Sequence, residues 1–204
     1  MRGLRRVLRL ARGRRGDRQG ADVKGFVALL RGVNVGGKGM ISVSALAESF
    51  RAMRLRDVAT FINSGNVIFR SSEDPVRLEK KIEKKLLAEH ALATRAILRS
   101  MDEMEALLAA FPRGFGTKAG FKHYVMFLGR AVDRADVLVD VAPNPSLESV
   151  VYVPGALLWS VAEKTSQKST LTKISRKPLS QEVTVRNPNT TRKVTELLRK
   201  LHDA

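Results

Sequence analysis

The chain has 204 residues, 44% of them hydrophobic, enough for a sizeable core in one or two domains. It contains no cysteine, which excludes disulfides and cysteine-ligated metal sites. Its 37 Lys and Arg against 20 Asp and Glu give a net charge of +17, and no run approaches the length of a membrane span.

The charge is unevenly placed. Residues 1–24 carry +7 and residues 164–200 carry +8, while the middle is nearly balanced. Met1–Gln19 is rich in Arg but lacks the apolar stretch of a secretory signal. Three readings fit it: a disordered basic arm, a weak amphipathic helix on Leu4, Val7, Leu8 and Ala11 for anionic membrane or RNA, and an upstream start. The expectation is a basic, disordered extension over 1–24 that does not pack on the core.

Residues 25–31 read as a buried strand that runs into a glycine-rich loop. Gly32, Gly36, Gly37 and Gly39 allow backbone N–H groups to approach a ligand closely, and Arg31 and Lys38 add positive charge beside Asn34. Gly32, Gly37 and Lys38 fit most of a phosphate-binding G-x-x-x-x-G-K loop, but Gly39 stands where a magnesium-binding hydroxyl is required. Asp140, after a short apolar run, is a weak match for the acid that accompanies such loops. The plainer reading is a turn joining a strand to a helix.

Apolar spacing over 42–55 predicts a helix with Ser42 as its N-cap. Short strands at 58–62 and 67–69 flank Asn63-Ser64-Gly65-Asn66, a hairpin turn. Pro75 opens a helix to about residue 89, and 93–98 reads as a strand. Ser100 caps a further helix with Asp102, Glu103 and Glu105 near its start. After the loop 113–122, the order repeats: a strand at 123–128, a helical turn within 134–141, a hairpin of 150–153 and 156–161 around Pro154-Gly155, a helix over 166–174, a strand at 182–185 and a final helix over 189–201. The repeated β-α-β-β-α-β order predicts an α+β fold of two ferredoxin-like, split βαβ subdomains with antiparallel sheets, over 25–112 and 113–204.

The segments VALLRGVNVGG, FINSGNVIF, QKSTL and VTVRNPNT together resemble one bacterial family, known as domain of unknown function 1697. The resemblance runs from about Gly25 to the C-terminus and implies two ferredoxin-like subdomains, with no established activity. The chain departs from the family pattern at Pro188, where members usually carry Trp within R-N-W-N-T.

Strand ends and helix starts in both halves carry Arg, Asn and small polar residues. The candidate ligand-binding set is Arg31, Asn34, Lys38, Ser64, Asn66, Lys168, Ser169, Arg186 and Asn187, with backbone N–H groups of Gly36 and Gly37 completing an anion cradle. The plainer roles are turn chemistry for Ser64 and Asn66 and capping for Ser169 and Asn187. The leading expectation is a small phosphate- or carboxylate-bearing ligand in a cleft between the halves. RNA binding is an alternative, weakened by an aromatic content of 5%. A third is an enzyme acting on a small phosphorylated substrate; no nucleophile motif or acid–base pair supports it, and no catalytic residue is assigned. His90, His123 and His202 lie far apart, so no metal is expected, nor any cofactor. The expected location is the cytoplasm, and the oligomeric state is open.

Overall fold

The computed structural model describes residues 23–35, 37 and 39–202. Of the basic extension expected over 1–24, residues 1–22 lie outside the described residues, as do Gly36, Lys38 and residues 203–204; Lys24, placed in that extension from sequence, opens the first strand instead. Among the described residues, two four-stranded antiparallel sheets and five α-helices make up an α+β architecture.

Strand β1 (Lys24–Leu30) is apolar at consecutive positions because both of its faces are covered. Phe26, Ala28 and Leu30 face helices α1 (Val43–Ala52) and α2 (Pro75–His90). Val27 and Leu29 face the opposite way, toward the second half of the chain. Strands β2 (Arg56–Thr60), β3 (Asn66–Ser71) and β4 (Ala96–Ser100) complete the first sheet in the order β2-β3-β1-β4. Ala28 is paired with Val67 on one side and Leu98 on the other.

The expected helix starts are present. The Ser42 hydroxyl accepts from the Ala45 N–H, and the Asp74 carboxylate accepts from Arg77 N–H ahead of Pro75. Ser100 and Glu103 form a reciprocal capping box that opens α3 (Met101–Ala109).

The second sheet is ordered β6-β7-β5-β8, from β5 (Phe121–Leu128), β6 (Glu148–Val153), β7 (Ala156–Ala162) and β8 (Val183–Arg186). A short α4 (Val137–Val141) joins β5 to β6, and α5 (Pro188–His202) ends the described chain. Val125 and Phe127 of β5 share one cluster with Val27, Leu29, Ile68 and Ile97 of the first sheet, Met104 and Leu107 of α3, and Val194 and Leu198 of α5. The two halves are therefore joined by a common apolar layer. In it α5 lies on the first sheet: a Cβ added to Gly25 would stand 3.0 Å from Leu198 Cδ1.

One element differs from the sequence reading. The helix expected over 166–174 is replaced by three 3₁₀ turns, Glu163–Lys168, Thr170–Arg176 and Pro178–Glu182. Hydroxyls cause this. Thr165, Ser166 and Thr172 donate to carbonyls three residues back, at 3.3, 2.8 and 2.8 Å. Ser169 is extended and caps the next turn at Leu171 N–H, and Pro178 forbids continuation.

The first hairpin is pinned by Gly65, whose φ of 74° favours glycine. A Cβ there would meet Leu30 Cβ at 2.9 Å and Val33 Cβ at 3.0 Å. Gly65→Ala is expected to cost about 2 kcal/mol, from left-handed strain plus the contact with two buried side chains, read as a lowered urea midpoint at unchanged slope.

Candidate functional site

Between the halves lies a cleft of about 680 Å³. Arg31 follows β1 on one wall, with Ser64 from the hairpin tip. The opposite wall is built from the 3₁₀ turns and from the end of β8, which delivers Arg186 and Asn187. Val35, Ile62, Leu171 and Ile174 make much of the lining apolar, and hydroxyls of Tyr124, Ser175, Ser180 and Thr190 interrupt it. No Asp or Glu is among the described residues that line it.

Arg186 forms the floor, and its residue is only 8% exposed. Nε donates to Asn66 Oδ1 at 2.6 Å; Nη1 donates to Thr184 Oγ1 and Val185 O, both at 2.8 Å. Nη2 donates to Leu30 O at 2.9 Å and Ser64 O at 3.0 Å. Every partner is a neutral oxygen. Burial, with no carboxylate to offset it, pulls the guanidinium down to about 10, still charged at neutral pH. Arg186 thus sews β8 to the first sheet and leaves a buried positive charge beneath the cleft.

Arg31 is half-buried and held at one nitrogen only, Nε donating to Ser180 O at 2.6 Å. Its two Nη groups have no carboxylate partner among the described residues. Asn187 is exposed, and its Oδ1 accepts from Thr190 N–H at 2.7 Å, so it caps α5 as well as bordering the cleft. Pro188 is buried as the first residue of α5, packed where Gly116, at φ 87°, leaves no room for a Cβ (2.7 Å from Pro188 Cβ).

Of the residues selected from sequence, Arg31, Ser64, Arg186 and Asn187 line the cleft. Asn66 is fully buried behind it, tying Arg186 to the Phe61 carbonyl and the Ser64 hydroxyl. Asn34 turns away: its amide donates to Ile41 O and Asn63 O, and its Oδ1 accepts from Ile41 N–H, folding the glycine loop against the hairpin. Lys168 is exposed and does not line the cleft. Ser169 is buried in a separate polar cluster, where its hydroxyl donates to Glu148. Gly37 is exposed away from the cleft. Sequence reading missed Tyr124, Ser175 and Ser180 as lining residues; the two serines lie between the helix expected over 166–174 and the strand expected at 182–185, where the sequence pattern predicts no element.

The setting of the glycine-rich loop differs from that of a triphosphatase loop. Helix α1 begins only at Val43, capped by Ser42, and both sheets are antiparallel. Asp140 sits within α4 and pairs with Arg134 Nη2 at 2.7 Å. Two Ser–His contacts exist elsewhere. Buried Ser49 Oγ lies 2.7 Å from His90 Nε2 and 2.9 Å from Glu89 Oε2, but Glu89 stands 3.9 Å from that same Nε2, so it does not orient the ring from the far nitrogen. His123 Nδ1 lies 2.9 Å from Ser160 Oγ, and burial holds this imidazole below its ordinary range. Among the described residues no three His, Asp or Glu side chains are grouped to hold a metal ion, and no helix is long and apolar enough to cross a membrane.

The fold is similar to that of the conserved bacterial protein SP0830 from Streptococcus pneumoniae, with a TM-score of 0.77 and 24% identity, over 87% of this chain and 99% of that one. At that identity the likeness speaks to the fold alone. No curated protein matches the chain. The pattern of one family, described as protein of unknown function (DUF1697), matches residues 23–159, two thirds of the sequence, with the whole first sheet and part of the second, and the chain belongs to that family.

Proposed function

We propose that the protein binds a small organic anion, bearing a phosphate or carboxylate group, in the cleft between residues 25–112 and 113–204. The observation that carries this reading is a pair of guanidinium groups, Arg31 on the wall and Arg186 in the floor, without a carboxylate partner in a cleft whose described lining holds no acid. A buried cation in a low-dielectric floor acts on an adjacent anion with little screening. Arg31 keeps two N–H faces for a charge-assisted contact, while the apolar wall suits an uncharged body. The β-α-β-β-α-β element order, with strand order β2-β3-β1-β4 in one half and β6-β7-β5-β8 in the other, supports reading both halves as ferredoxin-like, with 3₁₀ turns replacing the second helix of the latter half.

Titration with benzoate tests the cleft. Arg31→Ala weakens binding by about tenfold or more, because a charge-assisted contact is worth about 1.5–3 kcal/mol. Its thermal unfolding changes little, since a single part-buried hydrogen bond is lost. Unchanged affinity in this variant overturns the reading. Binding of RNA in place of a small anion shows itself by a steep loss of affinity with salt.

A further inference from the structure

Arg31 is also the wall of a second groove, of about 520 Å³, on its other side. The partition between the two is Arg31 with Ser180 and Gln181, Ser180 lining the cleft and Gln181 the groove. Helix α2 supplies the far side. Its four lysines fall into two sets. Lys81 is paired with Glu73 at 2.6 Å and Lys85 with Glu89 at 2.5 Å. Lys80 and Lys84, one helical turn apart, line the groove, are exposed, and have no ion-pair partner among the described residues.

The acid in the groove, Glu83, is already engaged. It accepts from Ala96 N–H at 3.0 Å and pairs with Arg95, whose other nitrogen meets Glu182 at 2.7 Å. What remains to face an incoming ligand is three uncompensated cations, Arg31, Lys80 and Lys84. Like charges so placed repel one another, and a multiply charged anion relieves that repulsion more than a carboxylate does.

We infer that the groove is a phosphoryl subsite and that the ligand is an organophosphate, its phosphoryl group between Arg31, Lys80 and Lys84 and its uncharged body in the cleft. This rests on the cleft reading above, because the body is placed there. Arg31 is the shared residue, fixed by Ser180 O at Nε and open at both Nη groups, and so able to serve either side.

Calorimetric titration with phenyl phosphate and with benzoate separates the two ideas. The wild-type protein binds phenyl phosphate more tightly than benzoate. The double variant Lys80→Ala/Lys84→Ala weakens phenyl phosphate by about tenfold or more and leaves benzoate unchanged, whereas Arg31→Ala weakens both. Both lysines are exposed, so the double variant keeps the wild-type unfolding curve. If the double variant binds phenyl phosphate as the wild type does, the phosphoryl subsite is wrong and the cleft reading stands. If the lysines matter but Arg31→Ala leaves phenyl phosphate binding intact, the groove binds anions apart from the cleft and the two-part ligand is overturned. If neither anion binds the wild type, both readings fall.

Discussion

Arg186→Ala removes about 3–5 kcal/mol of stability, a large share of what holds a protein of this size together. The truncation strips donors from Asn66 Oδ1, Thr184 Oγ1 and the Leu30 and Ser64 carbonyls, and it leaves a void where the side chain passed between β8 and the first sheet. Arg186→Lys does not restore it. An ammonium has three donors at one point, and the native partners are spread around a planar fork. Urea unfolding measures the loss; a change under about 1 kcal/mol for alanine would show that the buried bonds are replaced by water. The same variant is expected to lose anion binding as well, so Arg31→Ala, which is expected to keep its stability, is the cleaner probe of the cleft.

Trp159→Ala costs about 3–5 kcal/mol, because the side chain is fully buried among Met126, Leu128 and Leu157 and its indole N–H donates to Glu148 Oε2 at 2.9 Å. Glu148 is buried without a cation. It accepts instead from the Ser169 hydroxyl, from the Thr170 N–H at 3.1 Å, and from the Asn144 N–H at 3.0 Å. Burial pushes this carboxyl up, but the hydrogen bonds from Ser169, Asn144, Thr170 and Trp159 outweigh it and hold the group below 4.5. The unfolded chain therefore takes up that proton first. The stabilisation is fully present above about pH 4.5 and is lost as pH falls through the folded value. Glu79 runs the other way: burial raises it above 4.5, against the Leu98 N–H and nearby arginines, so its ionisation opposes folding as pH rises through the raised value. Chemical denaturation between pH 5 and pH 3 is expected to show a steeper acid loss in the wild type than in Glu148→Gln. Parallel curves would remove Glu148 as the cause.

Most strands were legible because their faces differ in kind. β1 reads as an unbroken apolar run, and Ser42, Asp74-Pro75 and Ser100 announce helix starts with side-chain chemistry that is local in sequence. The segment 163–182 was not legible. Its helical spacing is outweighed by hydroxyls that bond their own backbone and by Glu148, a partner distant in sequence. The same distinction governs the site. Arg31 and Arg186 both stand at strand ends, but nothing local shows that one keeps its Nη groups open while the other spends its Nε and Nη2 on the opposite half and its Nη1 on its own strand. Asn34 and Ser169 carry the right chemistry for a ligand and use it on nearby backbone and Glu148. Lys80 and Lys84 are indistinguishable from Lys81 and Lys85 in the sequence; only the positions of Glu73 and Glu89 separate them.

The placement of α5 on the first sheet has a consequence for how the chain is made. Val27, Leu29 and Ile68 emerge early in synthesis, yet two of the residues that cover them, Val194 and Leu198, emerge more than 120 residues later than Ile68. The first sheet is thus complete in its strand pairing well before its inner face is fully covered. Met104 and Leu107 of α3 and Val125 and Phe127 of β5 reach that face earlier, so a nascent chain carries a part-covered surface until α5 follows, and protection from aggregation is completed by the docking of that helix.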